Sequence, residues 1–421
     1  MPGDGQPHHD RVTYADIFAV PEFRALFTSR ALSTIGDYIA RAALVIAVFA
    51  ETGSTALMGI TFALTTLPDL IGGPVLAGLA DRYPRRIVMV VTDFGRAVLL
   101  LVMAIPGMPL PALWALLFLV RLVDAPFNSA YISTMSVVLP GKRLVRGTAV
   151  TQLVNHIAYT VGYAAGGVIV GLTGLSVVLV FNAATFALSA LAILVGVSAR
   201  PATAAADSPS SWFGSTRAAL RHIAAHPRLW LTMLFTLPIA ATLASETLAA
   251  PYAAQIGQGP AVAGVLMGSG PAGIVIGLWL LPMLIPDQRV RHVVVLSVLC
   301  CAPLVLFFVV PGVFLASLLV VVSGIALYFW IPLAAEFTQA VPDDMRGQAV
   351  GLMTTMMRVT QGVAILIFGL VATNALSSTV IAASGLVGTA IVAVLSVAWV
   401  RASRPSVPAM GTVPPRGGTV H

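Results

Sequence analysis

Runs of apolar residues long enough to cross a lipid bilayer recur along the whole of this 421-residue chain, and they decide what it can fold into. A hydrocarbon core about 30 Å thick is spanned by about 20 helical residues at about 1.5 Å rise each. Read by hydropathy and by Gly, Pro and polar breaks, helices are expected near 24–50, 56–80, 87–106, 112–138, 148–171, 175–199, 229–252, 261–284, 292–310, 312–338, 348–373 and 377–400. Only 9% of the residues are charged and 58% are hydrophobic, whereas a soluble chain carries roughly 25% charged residues. Soluble and disordered chains are thereby excluded. Continuous runs such as ALVIAVFA do not alternate, which excludes a membrane β-barrel. The cysteines Cys300 and Cys301 are neighbours in an apolar run, so no disulfide framework is implied. The reading is an all-α polytopic membrane protein with twelve transmembrane helices in the lipid bilayer.

The positive charges orient those helices. Lysine and arginine are retained in cytoplasmic loops. Arg82, Arg85 and Arg86 follow the second expected helix; Lys142, Arg143 and Arg146 follow the fourth; Arg200, Arg217, Arg221 and Arg228 lie between the sixth and seventh. The connections at 51–55, 107–111, 172–174, 253–260, 311 and 374–376 contain no lysine or arginine. Both termini are therefore expected in the cytoplasm, with the chain in the inner or plasma membrane. The first 20 residues are polar and lack a cleavable leader pattern, which agrees. The net charge of +7 reads as this topology signal, and nucleic acid is not an expected partner.

The one long polar connection, 200–228, separates six expected helices from six. The expected organisation is an N-terminal tail at 1–23, a bundle at 24–199, a cytoplasmic linker at 200–228, a second bundle at 229–400 and a tail at 401–421. TRAALRHIAAH in the linker has the pattern of a short amphipathic helix on the cytoplasmic surface. RGTAV at Arg146 recurs as RGQAV at Arg346, each followed by a helix with glycine at the matching place, Gly162 and Gly362. Parallel six-helix repeats form a transporter architecture with the binding site between the halves. A monomer is expected.

Six acids (Asp37, Asp69, Asp93, Asp124, Glu246, Glu336) and five arginines (Arg30, Arg41, Arg96, Arg121, Arg358) fall inside the expected helices. At roughly 3 kcal/mol each, facing lipid would cost on the order of 30 kcal/mol. They must pair, be neutral, or face a hydrated cavity. Arg30, Asp37 and Arg41 share one helical stripe; Asp93 with Arg96 and Arg121 with Asp124 are i, i+3 pairs. Asp37 and Asp69 fall near mid-membrane, where desolvation disfavours charge and a carboxyl can exchange a proton with water arriving from alternate sides. Asp37, Asp69, Arg121 and Glu246 are the proton-coupling candidates. Asp37, Arg41, Asp69, Tyr131, His156, Tyr159, Glu246, Trp330 and Arg358 are the substrate-binding candidates. Packing is the competing reading for His156 and the aromatics, and a structural role for Glu336.

The loop AGLADRYPRR, Ala77 to Arg86, resembles the G-x-L-a-D-r-x-G-r-k signature of the major facilitator superfamily, with Ala77 and Pro84 at its glycine places and Gly78 one position later. The resemblance implies a gate motif of Gly78, Asp81, Arg82, Arg85 and Arg86 that braces the cytoplasmic end against the region of helices 10 and 11. Arg121 in LVRLVDAPFNSA resembles that superfamily's helix-4 arginine, associated with proton coupling. VGYAAGG is similar to the end of its antiporter signature, with Gly162, Gly166 and Gly167 in place and Tyr163 where proline is usual. The cadence EFRALF, IGD, ETGS, ADRYPRR looks most like the drug-exporting branch that includes macrolide-efflux proteins and the enterobactin exporter. The implied function is proton-coupled efflux of an amphipathic small molecule such as a drug, antibiotic or siderophore. The alternatives are a proton-coupled nutrient importer and a lipid or lysolipid flippase. Gly141-Lys142 lacks the upstream glycine of a phosphate-binding loop, and Gly36-Asp37 lacks the GxGD surroundings of a membrane protease. No enzyme, metal or cofactor is expected.

Overall fold

A computed structural model describes residues 13–68, 71–72, 76, 79–200, 209–284 and 290–402. Asp69 and Gly78, both expected site residues, lie outside the described residues, as does the side chain of Asp81. The described membrane helices are α1 (Pro21–Thr52), α2 (Thr55–Leu64), α3 (Arg85–Met103), α4 (Leu110–Val138), α5 (Lys142–Thr173), α6 (Leu175–Gly196), α7 (Pro227–Thr247), α8 (Pro260–Leu284), α9 (His292–Val309), α10 (Val313–Ala340), α11 (Arg346–Val371) and α12 (Ser377–Ala402). Among the described residues, ten of these are long and apolar enough to cross a membrane. The other two are α2, described over a short apolar stretch, and α3, which carries Arg85, Arg86, Asp93 and Arg96.

Local chemistry sets where helices stop. Gly53 ends α1 with φ of 63°, a left-handed conformation that costs glycine little, and the Ser54 hydroxyl caps α2 by accepting from the Leu57 amide. Proline sets the internal breaks, because it offers no N–H to the carbonyl four residues earlier. Pro126 leaves Leu122 without that bond, and α4 is interrupted at Val123; Pro238 does the same for Leu234, and α7 is interrupted at Phe235. Pro251 follows Thr247 by four, where α7 ends and a short helix Ala249–Gln255 begins. These breaks lie beside the intramembrane charges Arg121, Asp124 and Glu246.

The helices pack in two groups. Within the first, α1 lies against α5 and α6, and α3 against α6; within the second, α8 lies against α10, and α12 against α7 and α9. The groups meet where α5 crosses α8 and α2 crosses α11. Both crossings depend on glycine. A Cβ at Gly167 would lie 2.5 Å from the Pro260 carbonyl oxygen and 2.6 Å from Gly264 Cα, and one at Gly59 would lie 2.9 Å from Gly369 Cα. Both contacts lie toward the connections that have no lysine or arginine. The structure is thus sealed between its groups at the arginine-free end.

The linker forms a helix, Pro209–Ala225, that packs on the second group. Ile223 packs with Leu229, Met233, Phe337, Val341, Ala349 and Met353 beneath the second group. Ala219 and Ile223 are buried in this contact, while Leu220 stays exposed.

Candidate transport site

On the other side of the glycine crossings, toward the arginine-bearing end, lies a cavity of about 500 Å³. Its walls are Arg30, Tyr38 and Arg41 of α1; Thr65 and Thr66 after α2; Arg121, Asp124, Ala125, Asn128, Ser129 and Ile132 of α4; and Met357, Arg358 and Gln361 of α11. An adjoining cavity of about 150 Å³ also touches Gln361 and is lined by Tyr159, Glu246, Leu243, Leu266, Met267, Ile274, Val320 and Leu327. The stacked rings of Tyr38 and Tyr159, 4.5 Å apart, stand between them.

Two charged assemblies border this space. Arg121 Nη1 lies 3.3 Å from Asp37 Oδ2 and its Nη2 lies 4.0 Å from Asp124 Oδ2, so one guanidinium joins α1 to the break in α4. Asp124 is also 3.0 Å from Arg96 Nη2, which lies 3.7 Å from Asp93. Asp93 accepts from the Ser189 hydroxyl at 2.5 Å, and Ser189 meets Ser29 at 2.7 Å. The i, i+3 spacing anticipated Asp93/Arg96 and Arg121/Asp124; the links to Asp37 and between Arg96 and Asp124 are tertiary. In the second assembly the Tyr159 hydroxyl, on α5, donates to Glu246 Oε2, on α7, at 2.7 Å. This bond spans the two helix groups. Tyr163 meets Tyr38 and Tyr159 edge-on, and Arg41 lies over the Tyr38 ring at 5.2 Å.

The expected site residues divide accordingly. Arg41, Arg121 and Arg358 line the larger cavity, Tyr159 and Glu246 the smaller, and Asp37 contacts the larger through Arg121. Tyr131 is buried in a separate core with Phe23, Met89 and Met135, and carries Arg30 5.7 Å above its ring. Trp330 packs against Phe329, Leu333 and Phe337 in the cores of the second group. His156 is half-buried on α5, and neither cavity is lined by it. Glu336 pairs with Arg228 at 2.6 Å near the end of α10. Thr65, Thr66, Asn128, Ser129 and Gln361 were not anticipated, although Arg121, Ala125, Asn128 and Ile132 follow one helical stripe and Gln361 falls one turn after Arg358.

Two of the gate-motif arginines, Arg85 and Arg86, make contacts within the first helix group. Arg85 Nη1 donates to the Ser133 carbonyl at 3.2 Å on α4, and Arg86 donates to the Leu194 carbonyl on α6. These contacts differ from the bracing against helices 10 and 11 that the resemblance implied, and they accompany a structure whose inter-group seal lies at the opposite end. Gly162 and Gly166 let α5 lie directly on Tyr38 and Ile39 of α1, while Gly167 faces α8. The VGYAAGG run is thus a two-sided contact surface.

The sequence profile of the Major Facilitator Superfamily matches residues 26–365. The chain belongs to this superfamily. A 171-residue stretch is 27% identical to YfiS of Bacillus subtilis (strain 168), an uncharacterized MFS-type transporter, and the match covers 39% of this chain and 40% of that protein. The chain thus spans about two fifths of the length of the curated relative it matches. A variant of the nucleoside transporter NupG superposes with a TM-score of 0.72 at 15% identity, covering 91% of this chain and 100% of the other. A bacterial homologue of the human lysosomal transporter Spinster, inward-facing and occupied, gives 0.72 at 15%, covering 90% and 96%. A variant of the peptide transporter POT in complex with sulfate gives 0.72 at 12%, covering 93% and 99%. At such identities the likeness is one of fold. The chain is a multi-pass membrane protein of the superfamily.

Proposed function

We propose that this transporter is proton-coupled and exports an amphipathic small molecule in exchange for protons, its two six-helix halves rocking about a mid-membrane site. The observation that carries the reading is the Glu246–Tyr159 hydrogen bond between the halves. A proton on Glu246 cancels the charge that this hydroxyl serves and so weakens a link across the interface that must open. Asp37 is the second exchangeable carboxyl: protonation would release Arg121 to other partners. With the arginine-bearing end in the cytoplasm, as the positive-inside rule requires, the present arrangement is open inward and sealed outward. Resemblance to drug exporters supports efflux, with Asp81, Arg82, Arg85 and Arg86 as a gate that engages when the cytoplasmic end closes.

Cavity charge favours a second reading, proton-coupled import. Arg41, Arg121 and Arg358 face it, and guanidiniums in a cavity wall suit an anion that loads together with a proton. Substrate accumulation in cells with and without the protein, before and after the proton gradient is collapsed, separates the two. Lower accumulation that returns to control on collapse supports export; raised accumulation supports import. In reconstituted vesicles Asp37→Asn is expected to uncouple flux from an imposed pH gradient. Gradient-driven flux equal to wild type would remove Asp37 from the coupling mechanism.

A further inference from the structure

Away from the transport site, a groove of about 500 Å³ opens between the arginine-bearing ends of α3 and α6. Its walls are apolar. Ile87, Val90 and Val91 recur at the spacing of one face of α3, and Leu194 faces them from α6. Ile87 and Val91 are 55% and 62% exposed, and the same side of α3 continues in the exposed Phe94, Val98 and Leu101. In a chain whose helices cross a bilayer, an exposed apolar stripe of this kind is turned to lipid. Two guanidiniums, those of Arg86 and Arg200, edge the groove where the two helices end.

Neither guanidinium is saturated by its present contacts. Arg86 donates from Nη2 to the Leu194 carbonyl, one of the last four of α6 and so without a partner inside its helix. Arg200 gives Nη2 to Glu22 Oε2 at 2.6 Å, and the Ser198 amide donates to the other oxygen of that carboxylate at 3.1 Å. Each guanidinium carries five N–H groups, so both keep donors for a further acceptor. That holds even with Asp81, whose side chain lies outside the described residues, on one edge of Arg86. Guanidiniums grip phosphate oxygens in pairs, and basic pockets between membrane helices on the cytoplasmic side receive anionic lipid head groups. We propose that this groove is a phospholipid site: an anionic glycerophospholipid of the leaflet at the arginine-bearing end sets its phosphate on Arg86 and Arg200 and lays an acyl chain along Ile87, Val90 and Val91. A free phosphate would meet the guanidiniums without the apolar wall, and a chain without a head group would do the reverse. The bound lipid bridges α3 and α6, whichever way substrate moves.

The test uses delipidated full-length protein in detergent and follows thermal unfolding against the concentration of each probe. Dioctanoylphosphatidylglycerol carries the whole chemistry. Dioctanoylphosphatidylcholine adds a compensating cation, dioctanoylglycerol has the chains alone, and glycerol phosphate and sodium phosphate have the anion alone. Phosphatidylglycerol is expected to raise the midpoint saturably and at lower concentration than any other probe. The double variant Arg86→Gln, Arg200→Gln should weaken it about tenfold or more, the scale of a lost charged hydrogen bond. Glu22→Gln separates this from loss of the Arg200 ion pair: it leaves both guanidiniums, and the affinity for lipid should hold or rise. Val91→Trp, at an exposed position, should obstruct the apolar wall and weaken the lipid with both arginines intact. Equal binding of glycerol phosphate or phosphate would make this a free-anion site, and equal binding of dioctanoylglycerol would make it ordinary contact with lipid chains. Equal binding of phosphatidylcholine would remove the preference for an anionic lipid, and undiminished affinity in both the double arginine variant and Val91→Trp would place the lipid elsewhere. Any one of these results overturns the proposal.

Discussion

Replacing Arg96 by alanine is expected to lower the stability of the folded protein by about 3–5 kcal/mol, the cost of stripping the partner from buried charge. The side chain is 3% exposed and lies between Asp93 and Asp124, with the rings of Phe127 and Phe186 centred 4.9 and 4.7 Å from its guanidinium carbon. One residue therefore ties α3 to α4 and α6, and Ser189 and Ser29 carry the contact on to α1. Alanine would leave two carboxylates facing one another, with Arg121 the nearest remaining counter-charge at 4.0 Å from Asp124. Thermal unfolding in detergent measures the loss directly. Adding Asp93→Asn to Arg96→Ala should recover part of the midpoint, because one uncompensated charge goes with it. A single Arg96→Ala variant as stable as wild type would show that the pairs contribute nothing net.

Much of this architecture was legible because lipid forces every backbone group to be satisfied within the helix and makes apolar length visible in sequence. The breaks in α4 and α7 were less legible: Pro126 and Pro238 are plain in the sequence, but many helix prolines, such as Pro271 and Pro282 of α8, leave the helix running. The charge pairs show the same division. Asp93/Arg96 and Arg121/Asp124 follow from the helical period. Arg121–Asp37 joins residues far apart in sequence and needs the α1–α4 packing to appear. Aromatic identity says little about which face of a helix meets a cavity, so Tyr131 and Trp330 were expected at the site beside Tyr159, although only Tyr159 lines it. Arg358 was found by its charge, and Gln361 was passed over because an amide within a span carries no comparable penalty.

Gly167→Val is expected to reduce transport by about tenfold or more through the conformational equilibrium, with each tenfold shift equal to about 1.4 kcal/mol. A side chain at Gly167 meets backbone, at the Pro260 carbonyl and Gly264 Cα, and backbone cannot rotate aside as a flexible side chain can. Overpacking of this kind costs typically 1–3 kcal/mol, and here the strain exists only while α5 and α8 are together. The population should therefore move toward states open at the arginine-free end. Gly171, one turn further along α5, supplies the control. Its added Cβ would stand 3.3 Å from the Pro260 side chain, so Gly171→Ala should transport much as wild type does. An engineered Asn128→Cys in the cavity wall reports the shift through a membrane-impermeant thiol reagent, since the native Cys300 and Cys301 are buried. Labelling from the arginine-bearing side should fall with Gly167→Val and stay constant with Gly171→Ala. Unchanged labelling and flux in Gly167→Val, in protein that unfolds at the wild-type temperature, would mean that the α5–α8 crossing is not the seal on which alternating access turns.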